Sequence, residues 1–412
     1  MKKRKSKRIG LKPLIIILTL FFMSSQAFAL SDEDCMECHG DQDLTTEVEG
    51  KTINLYVDYE IFKDTIHSEN GCVSCHEEAD VEEGEDHPMP MSSVSCGNCH
   101  EEVSDTYTKS LHGVARMEAG DLLAPKCYDC HSKHAILPPS DKRSATYPLN
   151  VPTTCGKCHR EGSQMNKLHN IEEHNIVANY TMSTHGKGLY VDGLIVTAVC
   201  SSCHTPHNIQ VPDDPNSTVN RDHINETCSQ CHVGIAEKFK KSVHSPLITK
   251  TDKKLPVCID CHTSHTISRV DRKDFRQVIS NQCSNCHEHE SETYFETYHG
   301  RAGLLKGGEK AAKCSDCHGS HDILPSSSPN SKIHEENIVA TCAPCHPNAT
   351  PNFTEYLTHA THNDKEKYPE LFYAFWAMTG LLVGTFSFFG LHTLLWIPRS
   401  MIERLKKIKG KH

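Results

Sequence analysis

Little in this chain suits an ordinary side-chain core. Its hydrophobic fraction is 37 %, against roughly 45–50 % in globular chains. Aromatic residues make up 7 % and only two are tryptophan, so a core of side chains alone would be thin for 412 residues. A glycine-rich dinucleotide fingerprint, a phosphate-binding loop and a serine–histidine–acid arrangement are all missing, which removes the common nucleotide-dependent and hydrolytic chemistries. Positive charge is scarce as well: 43 Lys and Arg face 53 Asp and Glu, a net −10. With the seven Lys and Arg of residues 2–12 and the net +5 of residues 399–411 set aside, the middle of the chain carries −22. Nucleic acid is therefore disfavoured as a partner, and a docking partner would offer a basic or apolar patch.

Cysteine, by contrast, is abundant and strictly placed. All 22 fall into eleven Cys-x-x-Cys-His motifs: Cys35, Cys38 and His39; Cys72, Cys75 and His76; Cys96, Cys99 and His100; Cys127, Cys130 and His131; Cys155, Cys158 and His159; Cys200, Cys203 and His204; Cys228, Cys231 and His232; Cys258, Cys261 and His262; Cys283, Cys286 and His287; Cys314, Cys317 and His318; Cys342, Cys345 and His346. This is the spacing of c-type haem attachment. Two thiols bond the two vinyl groups of one porphyrin, and the adjacent imidazole meets its iron. Zinc ribbons, redox dithiols and disulfide frameworks also use Cys-x-x-Cys, but none requires a histidine after every second cysteine. Eleven covalent haems c would supply the apolar matter that the composition lacks. Without them the chain is expected not to fold, because it could not offset its conformational entropy.

The motifs pair into repeats beginning near residues 35, 96, 155, 228, 283 and 342, the last cut short. After the first motif of each repeat comes a lone histidine: His67, His112, His185, His244, His299 and His359. After the second comes a companion three residues past the motif, namely His134, His207, His265 and His321; the first repeat has Ala79 there and His87 further on. Lone and companion histidines total eleven, one distal ligand per haem. A companion so close to its own motif histidine cannot curl round its own porphyrin, so it must serve another haem. Met89 and Met91 compete with His87, and a thioether there would raise one potential. His169, His174, His223, His289, His334 and His362 are left over and read as surface or hydrogen-bonding residues.

The expected fold is mainly irregular, with short α-helices, little β-structure, an array of haem-pair modules and one C-terminal transmembrane helix. Helical turns are predicted over 101–111, 235–243 and 290–298, a short strand or hairpin over 51–62, and loops at Leu137–Pro139 and Leu324–Pro329. Residues 1–29 read as a signal peptide: a basic start, the apolar run Leu14–Met23 and the small-residue site Ala27-Phe28-Ala29. Residues 30–369 would be the periplasmic haem domain. Residues 370–398 would cross the membrane, since Leu371–Pro398 has 28 residues without Asp, Glu, Lys or Arg. The basic segment 399–412 would face the cytoplasm, which puts a single-pass protein in a bacterial inner membrane. Within the span, Gly380 and Gly384 suit close helix approach. His392 is either an interhelical hydrogen-bonding residue or a ligand to a haem b shared with a partner.

The lone His-Gly, the spacer and the Cys-x-x-Cys-His-x-x-His with Leu-Pro after it, as in Cys127–Pro138 and Cys314–Pro325, resemble the multihaem c-type cytochromes related to cytochrome c3 and the tetrahaem modules. The stretch from His359 to Arg399 is similar to the junction at which a multihaem domain joins a quinol-handling cytochrome b, but here the chain stops after one helix. The resemblance implies an electron carrier whose partners are a separate membrane cytochrome b, or another quinol-oxidising subunit, and periplasmic or outer-membrane cytochromes. Sequence order puts the haem of Cys342 nearest the membrane. The competing expectation is an oxidoreductase of the nitrite or hydroxylamine type with one open haem, against which all eleven motifs end in histidine. A scaffold that merely stores haem is the remaining class.

Overall fold

A computed structural model describes residues 31–410, apart from 49, 82–85, 170, 172, 174 and 357. The signal-peptide expectation and His174 lie outside the described residues. The chain divides into two compact units at Asn220 and Arg221, between the third and fourth repeats.

Short helices and turns dominate. The described sheet is one antiparallel hairpin, Thr45–Val48 with Lys51–Asn54, in register Val48 with Lys51. The alternation expected over 51–62 therefore ends at Asn54, and its partner lies upstream. Asp58 caps a helical turn over Tyr59–Phe62 by accepting the Ile61 amide at 3.2 Å. The predicted turns elsewhere form as helices Glu101–Thr108, Val233–Phe239 and Glu288–Glu296, each beginning directly after a motif histidine.

Apolar packing is as sparse as the composition implies. The buried cluster is Tyr180, Leu189 and Val199 in the third repeat, with Val151 against it. The polypeptide exposes 30960 Å², where a compact folded protein of 46.1 kDa exposes roughly 16,000 Å². Side chains do not enclose one another here.

Polar bonds shape the repeat instead. Two residues before a lone histidine stands a buried hydroxyl: Thr65, Ser110, Ser183, Ser242 and Thr297. In the second, third and fifth repeats it caps a helix that contains the histidine, accepting from Gly113, Gly186 or Gly300 at 3.1–3.2 Å. Each glycine lies so close to the backbone carbonyl of a preceding tyrosine, Tyr107, Tyr180 or Tyr294, that a β-carbon would overlap its oxygen. The same tyrosines donate their hydroxyls to the carbonyl two residues before the next motif: Tyr107 to Pro125, Tyr180 to Ala198 at 3.0 Å and Tyr294 to Ala312 at 2.6 Å. The His-Gly dipeptide is thus a packing requirement. Where serine follows the histidine, at Ser68 and Ser245, a series of turns replaces the helix.

The last element is the helix Pro369–Lys409, 41 residues long, or about 61 Å. It runs through Pro398 and continues past the boundary expected there. None of its most apolar stretch is buried, and the mean hydropathy of that stretch is 1.6.

Gly113→Ala is expected to destabilise the haem-loaded protein by about 1–3 kcal/mol through overlap with the Tyr107 carbonyl. Gly380→Ala, with open space around it, is expected to change stability by less than about 0.5 kcal/mol. Denaturant unfolding of the two variants side by side checks both.

Candidate haem-ligand sites

In the second to fifth repeats the second motifs form five-residue helical turns, Cys127–His131, Cys200–His204, Cys258–His262 and Cys314–His318, whereas in the first repeat a 3-10 turn covers Cys72–Ser74. The residue just before the second cysteine closes each turn. Asp129, Ser202, Asp260 and Asp316 accept the amide preceding the first cysteine at 2.6–3.0 Å. Arg221 grips the Asp260 carboxylate with two nitrogens at 2.7 and 2.9 Å, which holds that carboxyl below its usual range. Arg276 pairs with the Asp316 carboxylate through one nitrogen.

Directly after the motif histidine the chain turns into positive φ: Ser132 at 71°, Thr205 at 47°, Thr263 at 64° and Gly319 at 84°. That kink aims the companion, two residues further on, away from its own motif histidine. Only one of the four positions has the glycine that such a conformation favours.

Imidazoles then meet in twos. In the first unit the ring centres of His39 and His87 lie 6.1 Å apart, His67 and His100 5.9 Å, His76 and His134 6.1 Å, His112 and His159 6.1 Å, and His131 and His207 5.9 Å. In the second unit the pairs are His244 with His287 at 6.1 Å, His262 with His321 at 5.9 Å, His299 with His346 at 6.1 Å and His318 with His359 at 6.2 Å. A ring nitrogen lies about 2 Å from a first-row metal and roughly 1.1 Å from its own ring centre, so two imidazoles on opposite faces of one iron have centres roughly 6.2 Å apart. Rings in direct contact are much closer, as His362 and Phe375 are at 3.7 Å. The nine pairs fit one iron each. Among the described residues, three or more His, Cys, Asp or Glu nowhere gather as a metal cage, and a porphyrin supplies the four remaining ligands that two imidazoles need.

The partners follow one rule. A lone histidine faces the first motif histidine of the next repeat (67 with 100, 112 with 159, 244 with 287, 299 with 346). A companion faces the second motif histidine of the previous repeat (134 with 76, 207 with 131, 321 with 262). His87 faces His39 within the first repeat, and the last lone histidine, His359, takes the companion's part at His318. A backbone bond accompanies the exchange: Ile66 N–H to the Ile136 carbonyl at 3.2 Å, Leu111 to Ile209 at 2.8 Å and Val243 to Ile323 at 2.8 Å. The other expected ligands sit on the same local elements. His185 lies in helix Thr184–Tyr190, His204 ends its turn, His232 precedes helix Val233–Phe239 and His265 follows Thr263.

Burial is the largest cause of a lowered pKa at His76, His131, His134, His159, His244, His262, His299, His318 and His321, and it brings His112 down to about 4. Neutral imidazole is the form that binds iron. Of the leftover histidines, His169 pairs with Asp121 at 2.9 Å, His223 with Glu226 at 3.3 Å and His362 with Glu296 at 3.5 Å. His334 accepts the Glu336 amide at 3.4 Å. Met89 is half exposed, whereas His87 is the residue set opposite His39.

Comparison with known proteins agrees with this geometry. The family described as a doubled CXXCH motif matches residues 194–237. The multiheme cytochrome MtrA of Shewanella baltica (strain OS185) is 23 % identical over 209 residues, 48 % of this chain and 53 % of that protein. The chain thus spans about half the length of the curated relative it matches. No solved structure matches it. Together these findings support a multihaem c-type cytochrome.

The Cys-x-x-Cys-His motifs are the positions on which haem c would be carried. The long apolar helix is consistent with a single-pass membrane anchor. Its thiols also follow one another in sequence order. Within repeats Cys35 neighbours Cys72, Cys96 neighbours Cys127, Cys155 neighbours Cys200, Cys228 neighbours Cys258 and Cys283 neighbours Cys314. Between repeats Cys75 approaches Cys96, Cys130 approaches Cys155, Cys261 approaches Cys286 and Cys317 approaches Cys342. Within each unit the attachment sites therefore form a line.

Sequence reasoning passed over the capping Asp and Ser residues and the tyrosines five positions before lone histidines. Both recur with the repeat period, which was the signal available. Ser132→Gly is expected to stabilise the haem-loaded cytochrome by about 1 kcal/mol, by relieving a φ of 71° with ψ of 170° that serine adopts at a cost. Thermal unfolding of the variant against the parent protein would show it, and an unchanged or lowered midpoint would refute the strain argument.

Proposed function

We propose that this cytochrome holds eleven haems c, each between two histidines, and conducts electrons along them between a quinol-oxidising membrane partner and periplasmic or outer-membrane cytochromes. The observation that carries the reading is the set of nine imidazole pairs spaced 5.9–6.2 Å apart. A haem c with both axial positions filled supplies one-electron exchange and offers no open position to a substrate. The polypeptide attaches, spaces and desolvates. Its Cys-x-x-Cys turns would hold each porphyrin edge, its exchanged histidines would hold the iron, and neighbouring thiols set a succession of sites within each unit.

The flanks support the setting. The basic start and apolar run of residues 2–23 suit export. The exposed helix Pro369–Lys409 ends in Lys406, Lys407 and Lys409, which favours a cytoplasmic C-terminus, an inner-membrane location and a periplasmic haem domain. The quinol-handling partner in this reading is a cytochrome b or an equivalent subunit. His392, exposed on that helix, is the residue that would reach a haem b shared with it.

Mass spectrometry of the exported protein is expected to find the polypeptide plus eleven haems, and paramagnetic resonance of the oxidised protein to find low-spin iron throughout. His112→Ala is expected to turn one haem in eleven high-spin, the one attached at Cys155 and Cys158. Unmodified thiols would defeat the reading outright. A stoichiometric high-spin haem in the parent protein that binds nitrite or cyanide would favour an enzyme instead.

A further inference from the structure

The segment between the last motif and the membrane helix touches three things in turn, and the order matters. Phe353 lies 4.9 Å from His346 and Tyr356 lies 6.4 Å, edge on, from His299, so both serve the pair belonging to Cys342 and Cys345. Three residues later His359 faces His318, the motif histidine of Cys314 and Cys317. Three residues later again, His362 stacks 3.7 Å from Phe375 at the base of the C-terminal helix. Walking from the membrane helix into the array, the first ligand met is His359, and the motif it completes is the tenth, not the eleventh.

One helix, Glu288–Glu296, holds this junction. Thr293 Oγ1 lies 3.1 Å from His359 Nδ1, and Glu296 lies 3.5 Å from His362 Nδ1. Thr293 is buried, and its hydroxyl hydrogen goes to the Glu290 carbonyl at 3.0 Å. Its oxygen can then only accept, so His359 must donate from Nδ1. That fixes the tautomer with Nε2 free for iron, and the hydrogen bond makes the imidazole a stronger donor. At the opposite end of the chain His39 has the same arrangement, its Nδ1 lying 2.9 Å from the Leu55 carbonyl.

We propose that the membrane-side terminus of the array is the haem attached at Cys314 and Cys317, and that Thr293 is the positioning residue for its axial ligand His359, with Glu296 tying the same helix to the membrane anchor through His362. This rests on the ligand reading above. It moves the port one haem back from the Cys342 motif that sequence order favours, and it gives the stacked His362 a role as a strut.

Two measurements on the full-length, haem-loaded protein in lipid nanodiscs test it. Thr293→Val removes the acceptor of the Nδ1 hydrogen, so ferric iron is less stabilised; one low-spin signal is expected to shift and one midpoint potential to move upward, with Thr293→Ser restoring both. For proximity, Met378→Cys gives a single free thiol on the membrane helix for a nitroxide label, since the native thiols are all in thioether bonds. The relaxation of that label is expected to quicken more when His359→Ala makes the tenth haem high-spin than when His299→Ala does so to the eleventh. A larger effect from His299→Ala, or Thr293→Val leaving every signal and potential unmoved, overturns the proposal while the ligand reading stands. Failure of both alanine variants to create any high-spin haem defeats the ligand reading and this inference with it.

Discussion

The structure depends on a gap of about 6 Å between imidazoles that belong to different repeats. Apart from His39 and His87, each described pair joins a motif histidine to an imidazole of a neighbouring repeat. Neighbours exchange histidines in both directions: one forward from the lone position, one backward from the companion position. Within the two units the neighbouring repeats are thereby linked twice, and at three of these junctions a backbone hydrogen bond lies beside the imidazole pairs. Repeat proteins ordinarily stack by burying apolar faces on one another; here the described side chains bury very few. Facing imidazole pairs join the repeats in that place.

Two repeats depart from this exchange. In the repeat that begins near residue 35 the companion position is Ala79. His87 turns back to His39 instead. At the finish, the sixth repeat has no second motif and so no companion, and its lone histidine, His359, fills the place opposite His318. Terminal repeats of solenoids are altered to hide an open face. These two are altered to avoid an unpaired ligand.

The rest of the repeat is built to hold rings still. Tyrosine hydroxyls bind carbonyls before the next motif, serine or threonine caps hold the lone-histidine helices, and carboxylates close the attachment turns. Positive φ after the motif histidine separates two imidazoles that would otherwise compete for one porphyrin. At the last of these turns the chain uses glycine, Gly319; at Ser132, Thr205 and Thr263 it accepts strain. Charge plays a smaller part. Surface ion pairs such as Arg143 with Asp64 are exposed and contribute little, whereas Arg221 on Asp260 and Arg276 on Asp316 brace attachment turns.

Much of this was legible in the residues alone. Covalent attachment needs two thiols and an imidazole at fixed local spacing, so every Cys-x-x-Cys-His could be read without a fold, as could the long uncharged run that becomes the C-terminal helix. That a companion serves a different haem followed from the reach of a three-residue segment. Which histidine it faces did not, because the pairs join residues 33–76 positions apart and local spacing says nothing about such pairs. The hairpin placed upstream of its expected site, the helix running through Pro398 and the attachment of His359 to the tenth motif were likewise settled in three dimensions. Sequence fixes what lies within a turn or two of a residue; the identity of the ring 6 Å away is decided by how the repeats come together.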